Sequence, residues 1–187
     1  MAEKRKNWNG LISGFSASDL VFLDESGCNT DMTRRYAYSF GGSRAVDSTP
    51  LSKPKNTTIL SSIQLNGTLH YTTFSGGTTV ERFKRYLETD LLPHLNGNSI
   101  LVMDNMKSHH AKAVKELLDS SSVRYIYLPP YSPDLNPIEK LWSKVKALLR
   151  KFKARTLDAL PNAIQNAFHS VTVSDCSGWF RFCGYAL

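Results

Sequence analysis

The chain has 187 residues, a length that suits one domain with a proper core, and its 41% hydrophobic and 21% charged residues are those of an ordinary globular protein. A net charge of +7 and a pI near 9.4 favour an anionic partner, nucleic acid before an acidic metabolite. No run of about 18 apolar residues occurs, and Cys28, Cys176 and Cys183 are odd in number and lack C-x-x-C spacing, so a membrane span, a disulfide framework and a zinc site are not expected and a reduced intracellular setting is.

Residues 1–18 are polar and read as a lead-in with a turn of helix. Leu20-Val-Phe-Leu-Asp24 is a short continuous apolar run, as expected of a strand covered on both faces, and it ends at Asp24-Glu25-Ser26-Gly27. Arg34 and Arg35 follow, then Gly41-Gly42 in a flexible loop and an exposed basic connection around Pro50 and Pro54. Asn66-Gly67, between apolar runs at 57–65 and 68–74, predicts a tight hairpin. Thr78-x-x-Glu81 predicts a capping box opening a helix to about Leu92, with Val80, Phe83, Tyr86, Leu87 and Leu91 inward. Residues 99–104 form a second buried-type strand ending in Asp104, 109–119 a helix, and 123–128 a further strand.

A proline-stiffened stretch then runs from Leu128 to Pro137 into a helix whose apolar stripe is Ile138, Leu141, Trp142, Val145, Leu148, Leu149 and Phe152. Asn136 is the expected N-cap, Pro137 the first helical position, and Glu139 sits at the edge of the stripe on the first turn. Taken alone, Glu139 could be no more than the capping-box partner of Asn136. Residues 156–170 predict a last amphipathic helix, and 177–187 an aromatic tail. The domain reading is a lead-in at 1–18, a core at 19–155, and a C-terminal helix and tail at 156–187 that packs on the core. Five strands in this order imply an α/β fold, a mixed five-stranded sheet with helices on both faces.

Asp24 and Asp104 end two buried strands, and Glu139 opens the helix after the next one. If the two Asp strands are sheet neighbours, the three acids converge at one edge. Three carboxylates without a cation repel each other and carry raised pKa values. Hard divalent ions relieve this, because Mg2+ and Mn2+ take oxygen ligands and commonly bind through one or two carboxylates plus substrate phosphate. Two such ions roughly 3.5–4 Å apart serve in-line phosphoryl displacement, so a basic chain with this site reads as a nuclease or polynucleotidyl transferase.

Asp24-Glu25-Ser26, Met103-Asp104-Asn105-x-x-x-His109 and Leu128-Pro-Pro-Tyr-Ser-Pro-Asp-Leu-Asn-Pro-Ile-Glu139-x-x-Trp142 resemble the three catalytic blocks of the mariner-like superfamily of DDE transposases. The bacterial insertion-sequence branch is the nearer likeness, and Gly178-Trp-Phe-x-x-Cys-Gly-Tyr185 resembles the tail of its members. The resemblance runs from about Leu20 to Phe152, and the long proline block is its most specific part. It implies a ribonuclease H-like fold, two Mg2+ or Mn2+ ions held by Asp24, Asp104 and Glu139, and cut-and-paste movement of a DNA element. Hydrolysis at an element end would free a 3′-hydroxyl that attacks target DNA. It also implies double-stranded DNA as partner, a homodimer on that DNA, and a place with the chromosome: the bacterial cytoplasm, or the nucleus if the source is eukaryotic. Family members carry an N-terminal helix-turn-helix region, and this sequence starts almost at the first catalytic strand, so recognition of element ends is expected to lie outside it.

The neighbouring residues divide between contact with DNA and plainer roles. Arg34 and Arg35 are expected near the active edge, as phosphate contacts or as a surface pair. Asn105 and His109 follow Asp104 where a loop becomes a helix; His109 either steadies that loop, touches phosphate or makes a helix-start hydrogen bond. Lys140 and Lys144 share a basic stripe with Lys151, which is either a DNA-backbone contact or a solvated face. Glu25, by strand alternation, points away from Asp24 into a structural or capping role. Trp142 is expected in the core. Two other functions compete with transposition: a ribonuclease H-like nuclease that only hydrolyses, and a truncated or domesticated DNA-binding protein with no turnover.

Overall fold

The computed structural model describes residues 2–34, 36–51 and 54–185. Its centre is a five-stranded sheet, β1 (Leu20–Cys28), β2 (Thr57–Gln64), β3 (Leu69–Ser75), β4 (Ile100–Met103) and β5 (Arg124–Tyr127), in the order β3-β2-β1-β4-β5. β1 to β3 form an antiparallel meander, while β4 and β5 add in parallel on the other side of β1. Asn66 and Gly67 make the expected β2–β3 turn, with Gly67 at φ 87°, a conformation that costs a residue with a Cβ.

Period-two alternation along the central strands divides two cores. Val21, Leu23, Leu101 and Met103 face one way, onto Phe83 and Tyr86 of α2 (Val80–Tyr86) and Val114 and Leu118 of α3 (Lys112–Ser120). Leu20, Phe22, Ile100 and Val102 face the other way. There they meet α4 (Ile138–Phe152), α5 (Leu160–His169) and α6 (Val173–Phe182) through Leu141, Trp142, Ile164, Phe168 and Phe180. Helices therefore cover both faces, as the sequence predicts.

Several elements differ from expectation. The polar lead-in is an eleven-residue helix, α1 (Ala2–Ile12), which the sequence hides because Trp8 is the buried apolar anchor among its described side chains. The cap of α2 is Thr79, whose hydroxyl accepts from the Arg82 amide at 3.3 Å, one residue later than the Thr78 box; beyond Tyr86 the chain widens into a π-helical turn, Leu87–Leu91. The expected aromatic tail is mostly α6, opened by a true capping box between Thr172 and Asp175. Gly184, at φ 86°, closes it, and the Tyr185 amide returns to the Phe180 carbonyl at 3.0 Å. Among the described residues no helix is long and apolar enough to cross a membrane.

Candidate active site

The register of β1 against β4 builds the site. Leu23 lies opposite Met103, the last residue of β4, so the next residues on these parallel neighbours, Asp24 and Asp104, emerge side by side. Asp24 is not at a strand end as expected; β1 runs on to Cys28 because β2 continues to pair with it. β5 ends level with β4, and the Leu128 amide donates to the Met103 carbonyl at 2.8 Å, delivering the proline loop to the same edge. That loop is pinned by Asn105 Nδ2 on the Leu128 carbonyl (2.6 Å), by the Tyr185 hydroxyl on the Leu135 carbonyl (2.5 Å) and by an Arg5–Asp134 ion pair. Tyr131, 86% exposed at its tip, takes φ 55°, where side chains other than glycine are uncommon.

Asp24, Asp104 and Glu139 line one open cavity of about 430 Å³ together with loop residues 128–133 and Asn136. The capping role for Glu139 is not used: Asn136 makes no side-chain cap on α4, which leaves the Glu139 carboxylate exposed to the cavity.

Asp24 is 8% exposed, with Oδ1 accepting from the Glu25 amide at 2.8 Å and Oδ2 from Trp142 Nε1 at 3.2 Å. Burial pushes its pKa up to about 7; the Glu25 amide opposes this, while the charges of Asp104, Glu25 and Glu139 add to it. Asp104, half exposed, goes the other way. Its partial burial is outweighed by hydrogen bonds from His109 (2.8 Å to Oδ1) and the Met106 amide (2.9 Å, also to Oδ1), which hold it below the usual carboxylate range. The site thus holds two aspartates whose surroundings push their pKa values apart.

The donor chemistry fits a hard divalent cation. A buried aspartate raised to about 7 beside two further carboxylates is a site short of positive charge. Among the described residues no three His, Cys, Asp or Glu side chains are grouped closely enough to hold a metal ion by themselves.

The raised Asp24 pKa predicts a pH dependence. The folded chain binds this proton more tightly than the unfolded chain, so the associated stability is fully present below the unfolded value of 3.8 and is lost as the pH rises through about 7. With a chelator present, wild type is expected to lose on the order of 4 kcal/mol relative to Asp24→Asn between about pH 4 and 8. Urea melts of the two proteins check this, and the difference cancels the other carboxylates.

The remaining candidates are distributed differently from expectation. His109 is fully buried between Asp104 and Glu25 and stacked on Phe83 at 4.3 Å, so it is not a phosphate contact. Lys144 is not free for DNA, because its ammonium lies 2.5 Å from Asp175 Oδ2 and 2.9 Å from the Ser170 carbonyl, clasping α4 to α6. Arg34 is exposed but lines a surface recess with Leu148 and Lys151, about 14–18 Å along α4 from Glu139, rather than at the acid edge. Arg35 lies outside the described residues. Asn105 is exposed and lines the cavity, and Lys140 lies 3.8 Å over the Phe182 ring. Sequence reasoning placed Trp142 only in the core and missed its bond to Asp24. Both a buried indole N–H and a buried carboxylate need partners, and that need was the available signal.

Residues 19–161, well over half of the chain, match the family described as DDE superfamily endonuclease. The chain belongs to that family. This DDE endonuclease domain is similar to the transposable element Tc1 transposase of Caenorhabditis elegans, 28% identical over 97 residues that cover 50% of this chain and 36% of the relative. The match thus spans about a third of that relative's length. In fold the domain is similar to the chain in the crystal structure of a pre-cleavage Mos1 transpososome (TM-score 0.80, 20% identity, 96% of this chain and 58% of that one). It is equally similar to the Mos1 mariner paired end complex with Mn (TM-score 0.80, 21% identity, 96% and 58%). The DDE endonuclease domain therefore has the ribonuclease H-like fold.

Proposed function

We propose that this chain is the catalytic domain of a DNA transposase, cutting at the ends of a mobile element and joining the freed 3′-hydroxyl to target DNA. The observation that carries the reading is the placement of Asp24 and Asp104 side by side by the β1/β4 register, with Glu139 lining the same cavity, in a chain of the DDE endonuclease family. Mos1 structures solved with Mn and with Mg support Mn2+ or Mg2+ as the ion, two being expected. Bound there, the ions would supply activation of the attacking oxygen and neutralisation of the leaving one.

Asp24, Asp104 and Glu139 are the proposed ligands. Trp142 and the Glu25 amide hold Asp24 in place, and His109 and the Met106 amide hold Asp104. The open cavity and the basic chain suit a polyanion, and Asn105 and Lys140 stand as the proposed DNA contacts nearest the acids. Work on two element ends and a target is expected to need a homodimer on double-stranded DNA. The site of action is expected wherever the chromosome lies.

The test is nicking of duplex DNA in Mg2+ or Mn2+, with joining of a pre-cleaved 3′-hydroxyl end in the same reaction. Both activities are expected in the wild type. Glu139→Gln, a change at an exposed position, is expected to lower them about a thousandfold, roughly 4 kcal/mol of lost transition-state stabilisation, with the melting temperature unchanged. Cleavage without joining would establish a hydrolytic nuclease instead, and DNA binding without cleavage a non-catalytic protein.

A further inference from the structure

Behind the acid cavity lies a second charged cluster that the proposed chemistry does not use directly. The ring of His109 has no exposed surface. Its Nδ1 is 2.8 Å from Asp104 Oδ1, its Nε2 is 3.2 Å from Glu25 Oε2, and Phe83 stacks on its face. Glu25 is 11% exposed and does not line the cavity. Strand alternation turns it to the face opposite Asp24, and that is the face from which His109 approaches Asp104.

We propose that Glu25 and His109 form a buried relay that fixes the carboxylate of Asp104, making His109 a positioning residue for the metal-binding site. The inference rests on the reading of Asp104 as a metal ligand given above. An aspartate χ2 is broad and roughly two-fold, so a carboxylate at a strand end has an orientation to lose when it takes up an ion. Here Oδ1 accepts from both His109 and the Met106 amide, and among the described residues Oδ2 accepts from none. The carboxylate is therefore held with one oxygen committed and the other left for coordination. The ring can do this only if its own torsion is fixed, and Glu25 at Nε2 with Phe83 on its face fixes it. A buried Glu25 would be costly without such a partner. Outer partners of this kind orient metal ligands in general, and their loss costs about 10- to 100-fold in metal affinity.

Two pairs of variants separate positioning from simple core filling. Asparagine reproduces the Nδ1 donor of histidine and glutamine reproduces Nε2. Mn2+ affinity is read from the resonance of the free ion, with thermal melts alongside. Asp104→Asn is expected to lose the site. His109→Gln, which keeps the Glu25 end and loses the Asp104 end, is expected to weaken Mn2+ binding about tenfold or more. His109→Asn is expected to stay closer to wild type, although both leave a similar gap against Phe83. Glu25→Ala is expected to bind Mn2+ more weakly than Glu25→Gln, which removes the same charge but keeps a hydrogen-bonding group, although neither touches the cavity lining. Equal affinities within each pair, or losses that only track the fall in melting temperature, would overturn the relay. If wild type binds Mn2+ no better than Asp104→Asn, the metal-ligand reading itself fails, and the relay with it.

Discussion

Asp24→Asn is expected to reduce metal-dependent nicking about a thousandfold or more without lowering the melting temperature measured in chelator at neutral pH. The two halves have one cause. Asp24 is almost fully enclosed, and burial beside three other acids raises it to about 7, so keeping it ionised costs the fold free energy. Asparagine has nearly the same shape and removes the charge. It retains one oxygen for either the Glu25 amide or Trp142 Nε1, and leaving the other donor unmatched costs about 1–3 kcal/mol, which the relief of the buried charge, on the order of 4 kcal/mol, offsets. Stability is thus not reduced while the proposed metal ligand is gone. Nicking within tenfold of wild type would remove Asp24 from the chemistry. A clear fall in melting temperature would mean that its two hydrogen bonds outweigh the cost of its burial.

The second large effect is on stability. Phe180→Ala is expected to cost about 3–5 kcal/mol in urea melts, a large part of the roughly 5–15 kcal/mol that holds a domain of this kind together. Phe180 is fully buried on α6, edge-on to Phe22 of the central strand at 5.4 Å and beside Tyr185 at 6.0 Å. Tyr185 in turn holds the Leu135 carbonyl, so the same change is expected to loosen the proline loop at the cavity. Two positions on, Phe182 is 67% exposed under Lys140, and Phe182→Ala is expected to cost less than about 1 kcal/mol. Similar costs for the two would mean that α6 is an appendage rather than a wall of the core.

These expectations reflect a division of labour inside the domain. The face carrying α4, α5 and α6 sets Trp142 against the sheet and brings Glu139 to the cavity. The opposite face, carrying α2 and α3, contributes Phe83 and the buried His109. The two aspartates stand where the faces meet, each steadied from a different side: Asp24 by Trp142 and Asp104 by His109.

The sequence by itself determined the strands, the hairpin and most of the core stripes, Phe152 at the end of its stripe being exposed, and it singled out the three acids. Those follow from local physics: apolar periodicity, an Asn-Gly turn, and carboxylates at buried strands that need a counter-charge. It also carried the family, through a proline block too particular to arise from periodicity. What only the tertiary structure decided were pairings between side chains distant along the chain. The Trp142–Asp24 bond spans 118 residues and the Glu25–His109 pair 84, and nothing in local spacing encodes either. The same holds for the basic residues. Lys144 reads as a free cation on a helix face until α6 brings Asp175 to it, and Arg34 reads as near the acids until the chain after β1 carries it to the far end of α4. α1 was invisible because a single tryptophan gives no periodicity, and it exists as a docked helix because the core has a place for Trp8. Local patterns specify which face of an element is apolar; which charged group meets which is set only when those faces close on one another.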